Sequence, residues 1–288
     1  MKPEANPKTF SLLSINTFGL PFYLGTSRLK RLMRILLQRP VDVLCFQEIQ
    51  QNTYIPLIWR EMKDQYPFFA FGSRHLVPKG GLLTLAKVSA ENQSFVAYPD
   101  RGWPFSIGFA DWALEKGVLR TEFEVNKQPI VIMNTHLQAN YLGNWSNANF
   151  MVRIQTKQVQ YLAGLVRAEA PNALVILCGD FNFPRHAFLY AELLAQAGLV
   201  DVLADDPRPT YIPFPLMPET WKTALDYLLI RYPEKSTIQV QPDILRLEDR
   251  AMPRPHQRFL TDHCALTLQV TWKSQTDAVQ DSVSRLRY

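Results

Sequence analysis

Ten polar residues stand at or beside the ends of apolar runs in this chain: Asn16, Gln47, Glu48, Asn134, His136, Asp180, Asn182, Asp226, Asp262 and His263. Asp180 and Asn182 close "VILCGDFN", and strand alternation would aim both at one face. Polar groups aimed together from a buried strand need water, a partner or a ligand. A turn into a helix, capped by either residue, explains the pair equally well. Glu48, after "CFQ", is the best metal-ligand candidate because a strand would hold it; an N-terminal cap on the next helix is the plainer alternative. Asp226 in "LDYLLI" is an acid in an apolar strand, and a histidine is its obvious partner. Asp262 and His263, taken alone, read sooner as a surface turn pair than as site residues. Carboxylates and amides are hard oxygen donors, and no cysteine accompanies the histidines. That set favours Mg²⁺ or a similar cation over zinc. Five strand ends of this kind imply one polar crevice at an edge of the fold.

Strands must carry these residues. "TFSLLSINTFG" reads as a first strand and "VDVLCFQE" as a second, with "TSRLKRLMRILLQRP" as a helix between them. Leu29, Leu32, Met33, Leu36 and Leu37 share one helical face, Pro40 stops the helix, and the basic "RLKRLMR" is its solvated face. "TYIPLIWREMKDQY" predicts a second helix, and "FFAFG", "GLLTLAKV" and "SFVAY" predict short strands. "VLRTEFEV", the turn "NKQ" and "PIVIMNTH" predict a hairpin. A long helix over "NANFMVRIQTKQVQYLAGLVRAEAP" ends at Pro171, the strand "ALVILCGD" follows, and "AFLYAELLAQAG" is a helix closed by Gly198. "TALDYLLI" and "CALTLQVTW" are late strands, and residues 273–288 read as a polar tail or appended helix. No repeat or linker divides the chain, so a single domain over residues 1–288 is expected, with its core over about 9–272. Helices alternate with strands in both halves, yet hairpins also occur. The combination predicts a four-layer α/β sandwich of two packed mixed sheets flanked by helices.

The bulk composition permits such a core: 288 residues, 47% apolar and 20% charged. A net charge of +5 is a mild bias towards anionic partners, and equally an ordinary solubility charge. Cys45, Cys178 and Cys264 each sit in an apolar run. They read as small core residues, not as a disulfide framework or thiolate metal cluster, which fits a reducing compartment. The opening "MKPEANPKTF" does not resemble a signal peptide, and no run of about 18 apolar residues occurs. No transmembrane segment is expected, and the expected location is cytoplasmic or peripheral to a membrane.

The motifs "SINTFG", "CFQE", "NTHL", "GDFN", "LDYLL" and "TDH" occur in the order found in the endonuclease/exonuclease/phosphatase superfamily. The chain resembles that superfamily from about residue 9 to 272, and within it most resembles the neutral sphingomyelinases. "TFGLPFY", "FADWALEKGVL", "NTHLQANY" and "FLTDHCAL" carry the subfamily likeness. The resemblance implies a metal-dependent phosphoric-diester hydrolase using Mg²⁺, with Mn²⁺ as a substitute. It implies that Glu48 binds the metal, helped by Asn16, with Asp262 nearby. Asn182, Asn16 and His136 would hold the phosphate. Asp226 would orient His263 as general base towards water, and His136 would stabilise charge or help the leaving group. Asp180 would position water or donate to the leaving oxygen. The insert "YLGNWSNANF" departs from the charged helical segment of animal neutral sphingomyelinases. The paired C-terminal membrane helices of some animal members and the long β-hairpin of secreted bacterial members are not seen either.

The expected function is hydrolysis of a phospholipid head-group ester; the alternative is a nuclease or deadenylase using the same chemistry. A scaffold that has lost its site is disfavoured, because every expected polar position is filled. A monomer is expected, with a phospholipid or other phosphodiester as partner. Trp103, Phe105, Phe109, Trp112, Phe214, Leu216 and Met217 lie in loop-like segments and predict a peripheral membrane contact, or a cover for the sheet edges.

Overall fold

The computed structural model of the protein describes residues 9–19, 25–73, 78–100, 114–213, 221–234 and 238–272. In chain order its elements are β1 (Thr9–Asn16), α1 (Gly25–Leu37), β2 (Val43–Gln47), α2 (Tyr54–Met62), β3 (Phe68–Gly72) and β4 (Lys79–Ala86). There follow β5 (Asn92–Ala97), β6 (Gly117–Val125), β7 (Gln128–His136), α3 (Phe150–Ala168), β8 (Leu174–Asp180) and α4 (Phe188–Ala197). The last are β9 (Val200–Asp201), β10 (Asp226–Arg231), β11 (Ile238–Leu245) and β12 (Ala265–Trp272).

Two mixed sheets result, β11-β12-β1-β2-β4-β3 and β5-β6-β7-β8-β10-β9. Alternation decides which side chains meet. On β1, Leu13 and Ile15 face outward and pack with Leu29, Leu32 and Met33 of α1 and Ile58 of α2. On β8, Val175 and Leu177 face outward and pack with Val159 and Leu162 of α3 and Leu189 and Leu193 of α4. The opposite rows form the core between the sheets, with Phe10, Leu12, Ile130, Ile132, Leu174 and Ile176 in one cluster. The four layers are therefore helices, sheet, sheet, helices, as expected.

The inward rows change character along their length. They read Phe10, Leu12, Ser14, Asn16 on β1, Ile130, Ile132, Asn134, His136 on β7, and Leu174, Ile176, Cys178, Asp180 on β8, all buried. Burying one such aliphatic side chain contributes ~1.5–3 kcal/mol. The deep end thus stabilises the sandwich, while the polar end falls at the edge of the same rows. The strand directions gather those ends. β1 and β2 are parallel, as are β7 and β8, while β12 and β10 run antiparallel beside β1 and β8. Both sheets therefore repeat one pattern, antiparallel–parallel–antiparallel, in β12-β1-β2-β4 and β10-β8-β7-β6.

Several local expectations need correction. The hairpin turn is the two-residue Asn126–Lys127, both with positive φ, and Gln128 already pairs with Val125. β11 was not anticipated from sequence, because Pro242 interrupts its pattern; as an edge strand it tolerates the missing N–H. Arg28 is not on a solvated face. It is 2% exposed and donates to the carbonyls of Thr17, Phe18 and Leu260. The aromatic and apolar residues from Trp103 to Trp112 and from Phe214 to Met217, and the tail 273–288, lie outside the described residues.

Candidate active site

The polar ends meet around Asp180. Register alone sets two of its neighbours: His136 is opposite Asp180 across β7–β8, and Asp226 is opposite it across β10–β8. Asn16 reaches over from the other sheet. Its Nδ2 donates to Asp180 Oδ2 at 3.0 Å and to Glu48 Oε1 at 3.0 Å. His136 Nε2 lies 3.6 Å and His263 Nε2 3.8 Å from the same Asp180 Oδ2. Gly179 makes the β7–β8 approach possible, since a Cβ there would sit 1.9 Å from the Thr135 carbonyl oxygen.

His263 precedes β12 and turns its ring inward. Its Nδ1 lies 2.8 Å from Asp226 Oδ2. That oxygen also accepts from Thr210 Oγ1 at 2.6 Å, and Thr210 Oγ1 accepts the N–H groups of Leu225 and Asp226. Asp262 Oδ1 lies 3.9 Å from His263 Nε2. Tyr211 packs on the imidazole at 5.1 Å between centroids. Behind these residues, Thr261 Oγ1 donates to the Asn16 carbonyl at 2.7 Å, joining the segment before β12 to the end of β1.

Two strand-based expectations are modified here. Glu48 is not on β2 but one residue past it, with φ +61°, and is half-buried. The loop holds it by close backbone packing: a Cβ at Gly19 would lie 1.6 Å from the Glu48 carbonyl oxygen. Asn182 likewise lies beyond β8 with φ +54°, so alternation does not govern it. Its N–H donates to Asp180 Oδ1 at 2.9 Å and its Nδ2 to the Leu137 carbonyl at 3.0 Å. Cys178, not Asn182, shares the inward row with Asp180. Gln47 and Asn134 also lie behind the crevice and bond to each other at 2.7 Å.

The electrostatics are those of crowded buried acids. Burial, with the charge of Asp262, pushes Glu48 above the usual carboxylate range. Burial pushes Asp180 up to about 7, against the opposing pull of His263. Burial raises Asp262 too. Burial, together with Lys116 and His263, holds His136 well below the usual imidazole range. Burial works against a charge on His263, but Asp226, Asp262 and Asp180 override it and raise its pKa well above the ordinary value. Ligand atoms of Glu48, His136 and Asp180 lie within 4.8 Å of one another. The carboxylates of Glu48 and Asp180, both raised by desolvation, are oxygen donors that fit a hard divalent cation, and beside them the buried Nδ1 of His136 has no hydrogen-bond partner among the described residues.

The family model of the Endonuclease/Exonuclease/phosphatase family matches residues 13–263. The chain belongs to this family. Among curated relatives, the inositol phosphosphingolipids phospholipase C of Saccharomyces cerevisiae is 26% identical over 223 residues, 68% of this chain and 46% of that protein. The putative neutral sphingomyelinase of Drosophila melanogaster is 28% identical over 204 residues, 68% of this chain and 44% of that protein. The chain thus spans under half the length of these relatives. A Staphylococcus aureus beta toxin variant with bound magnesium ions shares the fold, with TM-score 0.70 and 17% identity, over 92% of this chain and 100% of that one. So does D. rerio TDP2 complexed with single-strand DNA product, with TM-score 0.68 and 18% identity, over 91% and 99%.

For this family member, sequence reasoning missed four supporting residues. Thr210 and Tyr211 flank the histidine, Arg28 ties the loop after Asn16 to Leu260, and buried Lys116 donates to the Leu137 carbonyl at 2.5 Å. Lys116 stands in the quoted "DWALEKGVL" segment; Thr210 and Tyr211 carry no periodicity that marks them.

Proposed function

We propose that this chain is a Mg²⁺-dependent phosphoric-diester hydrolase that removes a phosphate-linked head group from a sphingolipid. One observation carries the reading: His263 is paired through Nδ1 with buried Asp226 while its Nε2 faces Asp180 across the crevice. The sphingolipid names of the curated relatives support the substrate class, and the magnesium of the staphylococcal toxin supports the ion.

Glu48 would hold the cation, with Asn16 fixing its carboxylate and Asp262 adding negative charge. When bound, the cation neutralises phosphate charge and offsets the carboxylates that keep His263 protonated. Asp226 keeps the remaining imidazole proton on Nδ1, so Nε2 is the basic atom. Nε2 takes a proton from water as the water oxygen bonds to phosphorus, and the P–O bond to the lipid alcohol breaks. Asp180, pushed up to about 7, can pass a proton to the departing oxygen. His136, held neutral, donates to a phosphate oxygen without adding a charge. Asn182 has a second Nδ2 hydrogen for the phosphate after bonding Leu137.

Membrane contact belongs to this reading. Tyr141 and Leu142, on the loop that follows His136, are 53% and 56% exposed. Replacing both with serine is expected to lower turnover on liposomes and spare a soluble short-chain diester. The decisive assay is a panel of sphingomyelin, lysophospholipid, single- and double-stranded DNA, poly(A) and inositol phosphates, each with and without EDTA. Sphingomyelin turnover abolished by EDTA is the expected result. Faster turnover of DNA or poly(A) than of any lipid would replace this reading with a nuclease.

A further inference from the structure

Directly beneath the crevice, two amides cross the seam between the sheets. Gln47 ends β2 in one sheet, and Asn134 lies on β7 in the other. Both are 0% exposed. Gln47 Nε2 donates to Asn134 Oδ1 at 2.7 Å and to Ser14 Oγ at 3.1 Å. Asn134 Nδ2 donates to the carbonyls of Phe46 at 3.1 Å and Leu83 at 3.3 Å. The β2–β4 ladder ends at the pair Phe46–Leu83. A side chain of one sheet therefore completes the hydrogen bonding of the other.

The position of this pair is what matters. Gln47 immediately precedes Glu48, and Asn134 is two residues before His136 on the same inward row. One layer deeper, β7 and β8 place Ile132 against Ile176 and β2 places Cys45, with the aliphatic Leu12 and Val43 below them. Buried amides are poor stabilisers in such a place, because they must give up water for each bond they make. Gln47 Oε1 has no hydrogen-bond partner among the described residues, so the pair is not even fully satisfied. Apolar burial is non-directional, whereas a hydrogen-bonded amide pair singles out one register.

We infer that the Gln47–Asn134 pair is a positioning device: it locks the two sheets in the register that sets Glu48 against His136 and Asp180. The inference rests on reading those three residues as one site. A slip between the sheets would separate ligand atoms that now lie within 4.8 Å of one another, and would break the Asn16 bridge, whose 3.0 Å bonds join Glu48 of one sheet to Asp180 of the other.

The test compares Gln47→Leu with Ile132→Ala, which opens a cavity one layer deeper on the same row of β7 and leaves both amides in place. Both lower the melting temperature, and all readings are taken well below it. Mn²⁺ affinity is measured by calorimetry, and the Asn16 side-chain amide resonances are followed in metal-free protein. Gln47→Leu is expected to weaken Mn²⁺ binding about 10- to 100-fold, as loss of outer partners does at metal sites. It is also expected to collapse the dispersion of the Asn16 resonances, while Ile132→Ala changes neither. Asn134→Leu should do the same more strongly if it folds. Equal effects from Gln47→Leu and Ile132→Ala, or unchanged Asn16 resonances in Gln47→Leu, would overturn the lock. If the unaltered protein binds no Mn²⁺, the metal reading of the site fails, and the Asn16 resonances still decide the lock.

Discussion

His263, Asp226 and Thr210 form a chain of short contacts, 2.8 and 2.6 Å, in which all three residues are buried. Glu48, Asn16, Asp180 and His136 stand at 3.0 to 3.6 Å around a shared opening, with Glu48 half-buried. In the first group each proton has one place to be. In the second, carboxyls are held above their usual range and an imidazole nitrogen lacks a partner among the described residues. The first group is fixed in geometry as it stands, which suits a proton acceptor once a cation offsets the carboxylates that keep His263 protonated. The second carries electrostatic strain that a cation would relieve. The contrast teaches that a folded protein can finish one half of a site with its own hydrogen bonds and leave the other half to be finished by a ligand.

Disrupting the proton-handling half should have the largest effect. His263→Ala is expected to lower kcat by ~10²–10⁴-fold, the usual worth of a positioned base. Asp226→Asn should lower it less, and the double variant should be no worse than His263→Ala, because the two act as a unit. Strictly additive losses in steady-state turnover would separate them.

The ion-handling half should respond differently. Glu48→Gln removes a strained charge, so the metal-free variant should melt at or above the native temperature. It should also lose the stabilisation that metal gives. A cation at 100 times its Kd adds ~2.7 kcal/mol to the native protein. Thermal melts with and without Mg²⁺ check both halves of this statement. An unchanged metal-induced shift would remove Glu48 from the ligand set.

Acidity sharpens the comparison further. Asp180 is pushed up to about 7, and Glu48 and Asp262 are also raised. Metal must displace these protons, so its apparent affinity should weaken by about tenfold per displaced proton per pH unit below 7. Folding of the metal-free chain has the opposite sign. The metal-free folded chain binds more protons than the unfolded chain between their carboxyl pKa values. These acids therefore lower stability as pH rises through that window, which bound metal should cancel. Calorimetric titrations at pH 6 and 8 would show it; identical affinities would mean the acids are already ionised.

The smallest effect is expected at Thr210. Thr210→Val leaves two backbone N–H groups and one carboxylate oxygen short of a partner. It should cost ~1–3 kcal/mol of stability, with only a modest fall in kcat. Thr210→Ser should restore both. If Thr210→Val melts normally yet loses turnover as His263→Ala does, Thr210 acts in the chemistry and not in support.

Much of this was legible in the sequence because alternation is rigid. Leu174, Ile176, Cys178 and Asp180 announce an inward row that ends in an acid, and β1 and β7 repeat it. Legibility stops where the backbone leaves the strand. Glu48 and Asn182 both take positive φ, which no side-chain pattern encodes for a non-glycine residue. Arg28 was hidden by its neighbours: in a run of basic residues only the tertiary fold reveals which one turns inward to take three carbonyls. Two glutamines on the buried face of α3 were a weaker signal. Gln155 Nε2 reaches the carbonyls of Gln138 and Asn182, tying together the loops after β7 and β8.

The bond from Thr261 to the Asn16 carbonyl spans 245 residues. Asn16 also reaches Asp180 across 164. During synthesis the first of these partners leaves the ribosome long before the last. A nascent chain that has already built β1 to β10 still lacks His263 and the segment that braces Asn16. Such non-local closures are slow and come late in folding. Translation therefore delivers His263 only after nearly all of the scaffold, and a chain stalled before residue 261 would carry Asp180 and Asp226 without the imidazole that pairs with Asp226.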